Sequence, residues 1–426
     1  MLPTAITTSI TFFALNAFGK TPAMLNFTAG AAQIASACKI ASATNVLTSK
    51  RFVSVGKLDN IIAELQSQNI NIIYLEDLAK QITLFDKLLG SLAAFVPAIL
   101  NKRIPGDAPA VILFTSGSEG TPKGVVLSHR NIQSNRFQLS ARIDFGATDK
   151  VFNCLPMFHS FGLTGGTLLP ILSGIKTFYY PSPLHYKVVP ELIYDTNSTI
   201  LFGTDTFLAG YAKFASSYDF YSIRYIFAGA EKLKEQTRRI YEEKYGVRIF
   251  EGYGATETSP VISTGTPMQN RIGSVGRFMP GIEYRLEQVP GIEAGGQLFV
   301  KGGNIMLGYL RAENIGKLEA PVDGWYDTGD IVEIDPQGYI FIKGRVKRFS
   351  KIGGEMVSLA AVEIAINKLW QGSAHAVVAV PDAKKGEQIV LLSEYASANR
   401  EEIITYFKSE KLAEIALPKR IIIGKI

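Results

Sequence analysis

The 426-residue chain is predicted to be an α/β protein with doubly wound sheets, on three observations. Short apolar runs alternate with longer helical patterns. Glycine-containing turns follow the apolar runs. From residue 291 onward the pattern changes to strict apolar–polar alternation. Strands and helices in alternation build a parallel sheet, whereas period-two alternation marks strands with one wet face.

Residues 111–114, 199–202, 225–228 and 248–250 read as buried strands, each ending in a turn where such sheets present ligand-binding groups. In the second part, GGQLFVKG and DIVEIDPQGYIFIKG read as two-sided strands, with Asp335-Pro336-Gln337-Gly338 as a hairpin turn. A fresh helical pattern begins near Ser358, so a boundary is placed at residue 344, giving domains 1–344 and 345–426. The opening, MLPTAITTSITFFALNAFGK, reads as the end of a strand running into a helix. With nothing before it to pair with, the chain is expected to start inside its first βα unit.

Composition narrows the class. At 47% hydrophobic and 19% charged residues the chain buries a real core, which excludes disorder. Two cysteines, Cys38 and Cys154, exclude a disulfide scaffold and favour a reducing compartment. Of the net charge of +6, an excess of four comes from residues 345–426, where 13 Lys and Arg face 9 Asp and Glu. No basic array interleaved with aromatics points to nucleic acid. Residues 151–175 carry no charged side chain, yet Asn153, two prolines, His159 and four glycines suit a buried strand, loop and helix better than a membrane span. Residues 1–19 lack the basic start of a signal peptide. No transmembrane helix is expected.

The most informative segment is VILFTSGSEGTPKG at 111–124. A buried strand enters a loop of glycines, hydroxyl residues and one lysine. Glycines let backbone N–H groups converge on an anion, hydroxyls donate to phosphate oxygens, and Lys123 adds positive charge. The spacing matches neither GxxxxGK[ST] nor GxGxxG, so a P-loop NTPase and a dinucleotide fold are disfavoured.

The loop TSGSEGTPKG resembles the signature of the adenylate-forming superfamily of acyl-CoA synthetases, peptide-synthetase adenylation domains and luciferases. YGATE at 253–257, GWYDTGD at 324–330 and GRVKRFSKIGGE at 344–355 match further motifs of that family in the same order. LPMFHSFGLT, YPSPLHYKVVPELIYD and YDFYSIRYIFAGAEKL are most similar to one subgroup. It is the acyl-ACP synthetase half of the bacterial bifunctional 2-acylglycerophosphoethanolamine acyltransferase/acyl-ACP synthetase.

The resemblance implies a large N-terminal domain of doubly wound sheets plus a distorted β-barrel, followed by a small mobile α+β domain. It implies ATP and Mg²⁺ as cofactors, a fatty acid as substrate, and acyl carrier protein as acceptor, with CoA as the alternative. Phospholipid reacylation would be the metabolic setting. The implied place is bacterial, in the cytoplasm or peripheral on the cytoplasmic face of the inner membrane.

Residue by residue, Thr115, Ser116, Gly117, Ser118, Gly120, Thr121 and Lys123 would hold the phosphates. Glu257 would be the Mg²⁺ ligand and Thr256 would donate to the α-phosphate. Tyr253, with Gly254 and Ala255, would face adenine, flanked by Gly229, Ala230 and Glu231. Asp330 would accept from ribose hydroxyls and Arg345 would contact ribose or phosphate. His159 is a catalytic candidate near the α-phosphate. Phe161, Gly162, Phe202 and Gly203 would border the acyl site, and Lys347 marks the hinge. The family's small domain ends in a lysine loop, and the sequence stops at LPKRIIIGKI, where Lys425 stands too early to be that lysine. A non-catalytic nucleotide- or acyl-binding module is therefore the reading from another class.

Two surfaces stand out. Lys343, Arg345, Lys347, Arg348 and Lys351 are five cations within nine residues, a docking edge for an acidic carrier protein or a solvated hinge. Leu88, Leu89, Leu92, Phe95, Val96, Ile99 and Leu100 share one helical face ahead of Lys102-Arg103. Packing onto the large domain is the favoured expectation for that face, and a membrane surface is the other.

Overall fold

The computed structural model describes residues 1–96, 103–116, 121–289, 292, 294–352, 355–382, 386–410 and 412–426. For Ser116, Lys347, Lys351, Glu355 and Met356 it describes the backbone alone. The sequence-predicted residues Gly117, Ser118 and Gly120, together with Ile99, Leu100 and Lys102, lie outside the described residues.

Two compact units form, one from Met1–Glu283 with Lys301–Tyr326 and one from Tyr284–Val300 with Asp327–Ile426. The first unit is built around a seven-stranded sheet. Its five parallel strands, Ile249–Gly254, Tyr225–Ala228, Ile200–Gly203, Lys150–Asn153 and Lys176–Tyr179, are neighbours in that order. Val261–Thr264 and Arg277–Phe278 extend the sheet antiparallel. These strands are short and apolar because both faces are covered. Ile200–Gly203 is buried at every position. Phe227 stacks on Phe202, with ring centroids 5.6 Å apart, and lies 5.8 Å from Phe250, so adjacent strands share one aromatic layer.

A second, mixed sheet runs in the order Ala23–Met24, Pro109–Ser116, Pro122–Ser128, Gly308–Leu310 and Leu318–Glu319. At the start of the chain the helix forms at Ile6–Ala17, but among the described residues no strand precedes it. The first strand is Ala23–Met24, which pairs parallel with Ile112 and Leu113.

In the C-terminal unit the four-stranded sheet is ordered Glu283–Glu287, Gly296–Lys301, Tyr326–Ile334 and Ile340–Arg345. The last two strands form the predicted hairpin, closed by Gly338 N–H on Asp335 O at 2.8 Å. Ser358 caps helix Leu359–Leu369 by accepting from Ala361 N–H, so the predicted helix start has a physical cause. That helix and Arg400–Ser409 pack Ile366, Ile403 and Phe407 onto a five-stranded sheet carrying Val377, Ile389 and Leu391.

The expected packing of the 88–100 face is corrected. Helix Leu84–Phe95 forms, capped by a reciprocal Thr83–Asp86 box, but has no buried residue. Leu88, Leu92, Phe95 and Val96 are exposed, and Leu89 and Ala93 alone among its residues are half-buried. The side turned inward is the narrow Leu89–Ala93 edge, so the broad apolar face meets solvent. No helix among the described residues is long and apolar enough to cross a membrane.

Candidate functional site

Pairing of Pro109–Ser116 with Pro122–Ser128 sets Thr115 opposite Lys123 and Ser116 opposite Pro122 at the mouth of the glycine-rich loop. Gly308–Leu310 adds on the other edge, with Tyr309 opposite Val125 and Leu310 opposite Gly124. This register carries Lys123 Nζ to 5.3 Å from the centre of the Tyr309 ring, a cation over a π face. Tyr309 in turn donates its phenol to Glu257 Oε1 at 2.7 Å.

Glu257 is 8% exposed and sits on the single 3₁₀ turn Thr256–Thr258. Met306 N–H donates to its backbone oxygen at 2.9 Å, tying that turn to the segment leading into Tyr309. Burial raises the Tyr309 phenol above its ordinary pKa, and the Glu257 carboxylate adds to the effect. The phenol therefore stays protonated and remains the donor. The preceding backbone is built for a sharp exit from the sheet. A register shift falls between Tyr253 and Gly254, and a Cβ on Gly254 would come within 1.9 Å of Pro260 O, so only glycine fits there. Ala255 N–H donates to that same oxygen at 3.0 Å. Tyr253 is half-buried beside this bulge.

Thr256 Oγ1 lies 3.3 Å from Ser160 Oγ, which brings the FHSFG segment to the same place. His159 packs against Phe158 at 4.6 Å between ring centres and is open to solvent on its other side. The protein mass around it lowers its pKa, so the neutral imidazole is favoured. After it the chain enters a π-helical stretch, Phe161–Leu168, held by Asn153 Nδ2 on Gly162 O and Thr167 Oγ1, both at 3.1 Å. Such stretches recur at functional sites. A Cβ on Gly166 would meet the Asn153 amide at 2.3 Å, so the glycine makes room for that anchor. Phe161 then meets Phe202 edge to face at 5.6 Å, and the Cβ direction of Gly229 points at its ring.

Gly229 is buried, and its N–H donates to Gly203 O at 3.2 Å. Ala230 follows in the left-handed region with φ of +67°, an unusual conformation for a residue with a Cβ. Glu231, expected beside adenine, has its carboxylate engaged elsewhere. It accepts from Thr206 N–H at 3.1 Å and Thr206 Oγ1 at 2.7 Å, fastening this turn to the start of helix Asp205–Phe214.

In the C-terminal unit Asp330 and Arg345 are cross-strand partners, with Arg345 Nε 3.0 Å from Asp330 Oδ1. Asp330 is 5% exposed, and its N–H donates to Thr328 Oγ1 at 3.1 Å. Lys347 lies in the 3₁₀ turn Val346–Arg348 that follows. The cationic edge is largely paired. Lys343 meets Glu333 at 2.5 Å and Arg348 meets Glu363 at 2.9 Å, in addition to the Arg345 pair.

One buried carboxylate beside a phosphate-type loop fits Mg²⁺, which takes one or two carboxylates and completes its shell with substrate phosphates and water. Among the described residues no group of three acidic, His or Cys side chains gathers into a closed cage for a metal. Sequence reasoning missed Tyr309 and Ser160. Ser160 was legible as the hydroxyl inside FHSFG, whereas Tyr309 lies 52 residues from Glu257 and is brought to it by strand pairing alone.

Fold and site define an α/β enzyme of the adenylate-forming class. The model of the AMP-binding enzyme family matches residues 1–310, and the chain belongs to that family. It is 32% identical over 337 residues to the mouse mitochondrial medium-chain acyl-CoA ligase ACSF2, spanning 74% of this chain and 54% of the relative. It is 28% identical over 336 residues to the medium-chain fatty-acid–CoA ligase of Escherichia coli, spanning 75% and 58%. The chain thus covers little more than half the length of these relatives. The fold matches ATP-bound MatB from Rhodopseudomonas palustris at a TM-score of 0.81 and 24% identity, covering 99% of this chain and 84% of the other. It also matches o-succinylbenzoate CoA synthetase from Bacillus subtilis with its acyl-adenylate intermediate, at a TM-score of 0.81 and 23% identity, covering 99% and 83%.

Proposed function

We propose that the chain is the ligase part of an enzyme that activates a fatty acid with ATP and hands the acyl group to the thiol of acyl carrier protein. The observation that carries this reading is the cation and buried carboxylate, Lys123 and Glu257, joined through one phenol beside a glycine-rich hairpin loop. A transfer of this kind rests on positioning and charge neutralisation. In this reading Thr115, Ser116, Gly117, Ser118, Gly120, Thr121 and Lys123 grip the β- and γ-phosphates, and Glu257 holds Mg²⁺. The metal supplies positive charge to the departing pyrophosphate.

Thr256, oriented by Ser160, donates to the α-phosphate, and neutral His159 exchanges a hydrogen bond with the carboxylate or phosphate oxygens. Adenine lies on Tyr253 along the Gly254-Ala255 and Gly229-Ala230 backbone, with Glu231 bracing the latter turn. Phe161 and Phe202 border the acyl group. Asp330 accepts from the ribose hydroxyls, with Arg345 holding its carboxylate in place, and a division at residue 344 with Lys347 as the hinge lets the C-terminal part change partners between half-reactions.

CoA is the second acceptor reading, and two observations favour it. The relatives named above are acyl-CoA ligases. Three of the five cations expected to meet an acidic carrier already have carboxylate partners.

Calorimetric titration of ATP with and without Mg²⁺ against the wild type and Glu257→Gln tests the site. Loss of one charged ligand should weaken Mg·ATP binding about tenfold or more with unaltered thermal stability. Equal affinities overturn the assignment. Supplying synthetic acyl-adenylate with either acyl carrier protein or CoA then decides the acceptor by which thioester forms.

A further inference from the structure

We propose that helix Leu84–Phe95 is an interfacial docking helix that lays its apolar face on an anionic lipid bilayer. The helix stands on its own chemistry, because the Thr83–Asp86 capping box closes its N-terminus with bonds of 2.7–3.2 Å. At about 100° per residue, Leu84, Leu88, Leu92 and Phe95 fall within an arc of about 80°, with Phe85 at its edge. These side chains are turned to water, Leu88 being 70% and Phe95 87% exposed. The half-buried Leu89 and Ala93 hold the opposite border to the protein.

A contiguous apolar face on one helix marks a partner, since exposed apolar residues scattered singly over a surface are ordinary but a full helical stripe is not. A bilayer is favoured by shape and charge. A headgroup–acyl boundary takes an amphipathic helix lying flat along its whole apolar face. Residues 83–103 carry Asp86 against Lys87, Lys102 and Arg103, a local excess of positive charge, and Asp86 is bound into the cap. Lys87 and Arg103 are exposed. Positive flanks beside an apolar face select anionic headgroups. The proposal is independent of the ligase reading.

Flotation with vesicles containing phosphatidylglycerol, or of phosphatidylcholine alone, tests it on the 426-residue chain. The wild type should float with the anionic vesicles, and Leu88→Ser with Phe95→Ser should lower partitioning roughly tenfold or more. Those side chains are exposed, so thermal unfolding should not move. As a readout that keeps the face apolar, Phe95→Trp should show an emission shifted to the blue on anionic vesicles, taken as the difference from wild type. Lys87→Glu with Arg103→Glu should weaken binding to anionic vesicles alone, and less so at high salt. Absence of flotation, partitioning unchanged by the double serine variant, or unshifted Trp emission each overturns the proposal. A concentration-dependent dimer abolished by the serine variant, without flotation, assigns the face to a second copy and also overturns it.

Discussion

Tyr309 and Glu257 are joined by a 2.7 Å hydrogen bond from phenol to carboxylate across 52 residues of sequence. The bond fixes one oxygen of the buried Glu257 carboxylate. Lys123 approaches the ring of the same tyrosine, so a single side chain sets the spacing between a cation and an anion.

Tyr309→Phe keeps the ring and removes the donor. A buried carboxylate oxygen then loses a charge-assisted bond, typically worth ~1.5–3 kcal/mol. Mg·ATP affinity should fall about tenfold, whereas ATP titrated without Mg²⁺ should bind nearly as to wild type because Lys123 retains its ring contact. Calorimetry with and without the metal checks this. An equal loss in both titrations would assign Tyr309 to the fold alone.

The cationic edge gives a sharper test of the acceptor than total charge does. Arg348 holds Glu363, which also accepts from Val377 N–H at 2.9 Å, so reversing Arg348 would disturb the fold. Lys351→Glu leaves both Arg348 and Glu363 in the sequence. With acyl carrier protein as substrate, KM should rise several-fold and the effect should shrink with salt, because exposed charges are screened within about 8–10 Å. KM for ATP and fatty acid should stay constant. An unaltered carrier dependence would leave CoA as the acceptor and the edge as solvated surface.

Ala230 occupies the left-handed region at φ of +67°. A residue with a Cβ gives up ~1–2 kcal/mol there. Ala230→Gly should therefore stabilise the protein by about 1 kcal/mol, less the entropy glycine adds to the unfolded chain. Thermal unfolding should shift upward by a few degrees or less. A lower midpoint would show that the Cβ has a packing role outweighing the strain.

Glu76 accepts from Ser49 Oγ at 2.7 Å and from the N–H groups of Lys50 and Arg51 at the start of helix Lys50–Gly56. The Ser49 bond is the main reason its carboxyl is held down to about 2, with the backbone donors adding to it. A depressed folded value means the stabilisation is full above the ordinary carboxylate range and fades as pH falls from about 4.5 toward about 2. Glu76→Gln should lower the unfolding midpoint at pH 7, by an amount typical of a lost helix cap, ~1 kcal/mol. The gap to wild type should close progressively below pH ~4.5. A gap constant with pH would show that shape rather than charge matters at this position.

Much of the architecture was written in local pattern. The strand 225–228 and the hairpin turn 335–338 coincide with the structure, and Ser358 starts its helix where a hydroxyl cap should. These features depend on neighbours a few residues apart, which composition and periodicity report directly. Glycine-rich and charged motifs likewise singled out the 111–124 segment and the carboxylate of YGATE, and the structure brings Lys123 and Glu257 to the same tyrosine.

Contacts distant in sequence were decided by tertiary structure. Strand register placed Tyr309 beside Lys123 and Glu257, and no local spacing signals that meeting. Glu231 was drawn to the amide and hydroxyl of Thr206 because two loops converge at the ends of adjacent parallel strands. Arg345 was taken up by Asp330 across a hairpin, although in sequence both read as ligand contacts. The exposed face of helix Leu84–Phe95 makes the same point. Periodicity determines that a helix has an apolar side, but what that side meets is set by the surfaces the rest of the chain brings to it.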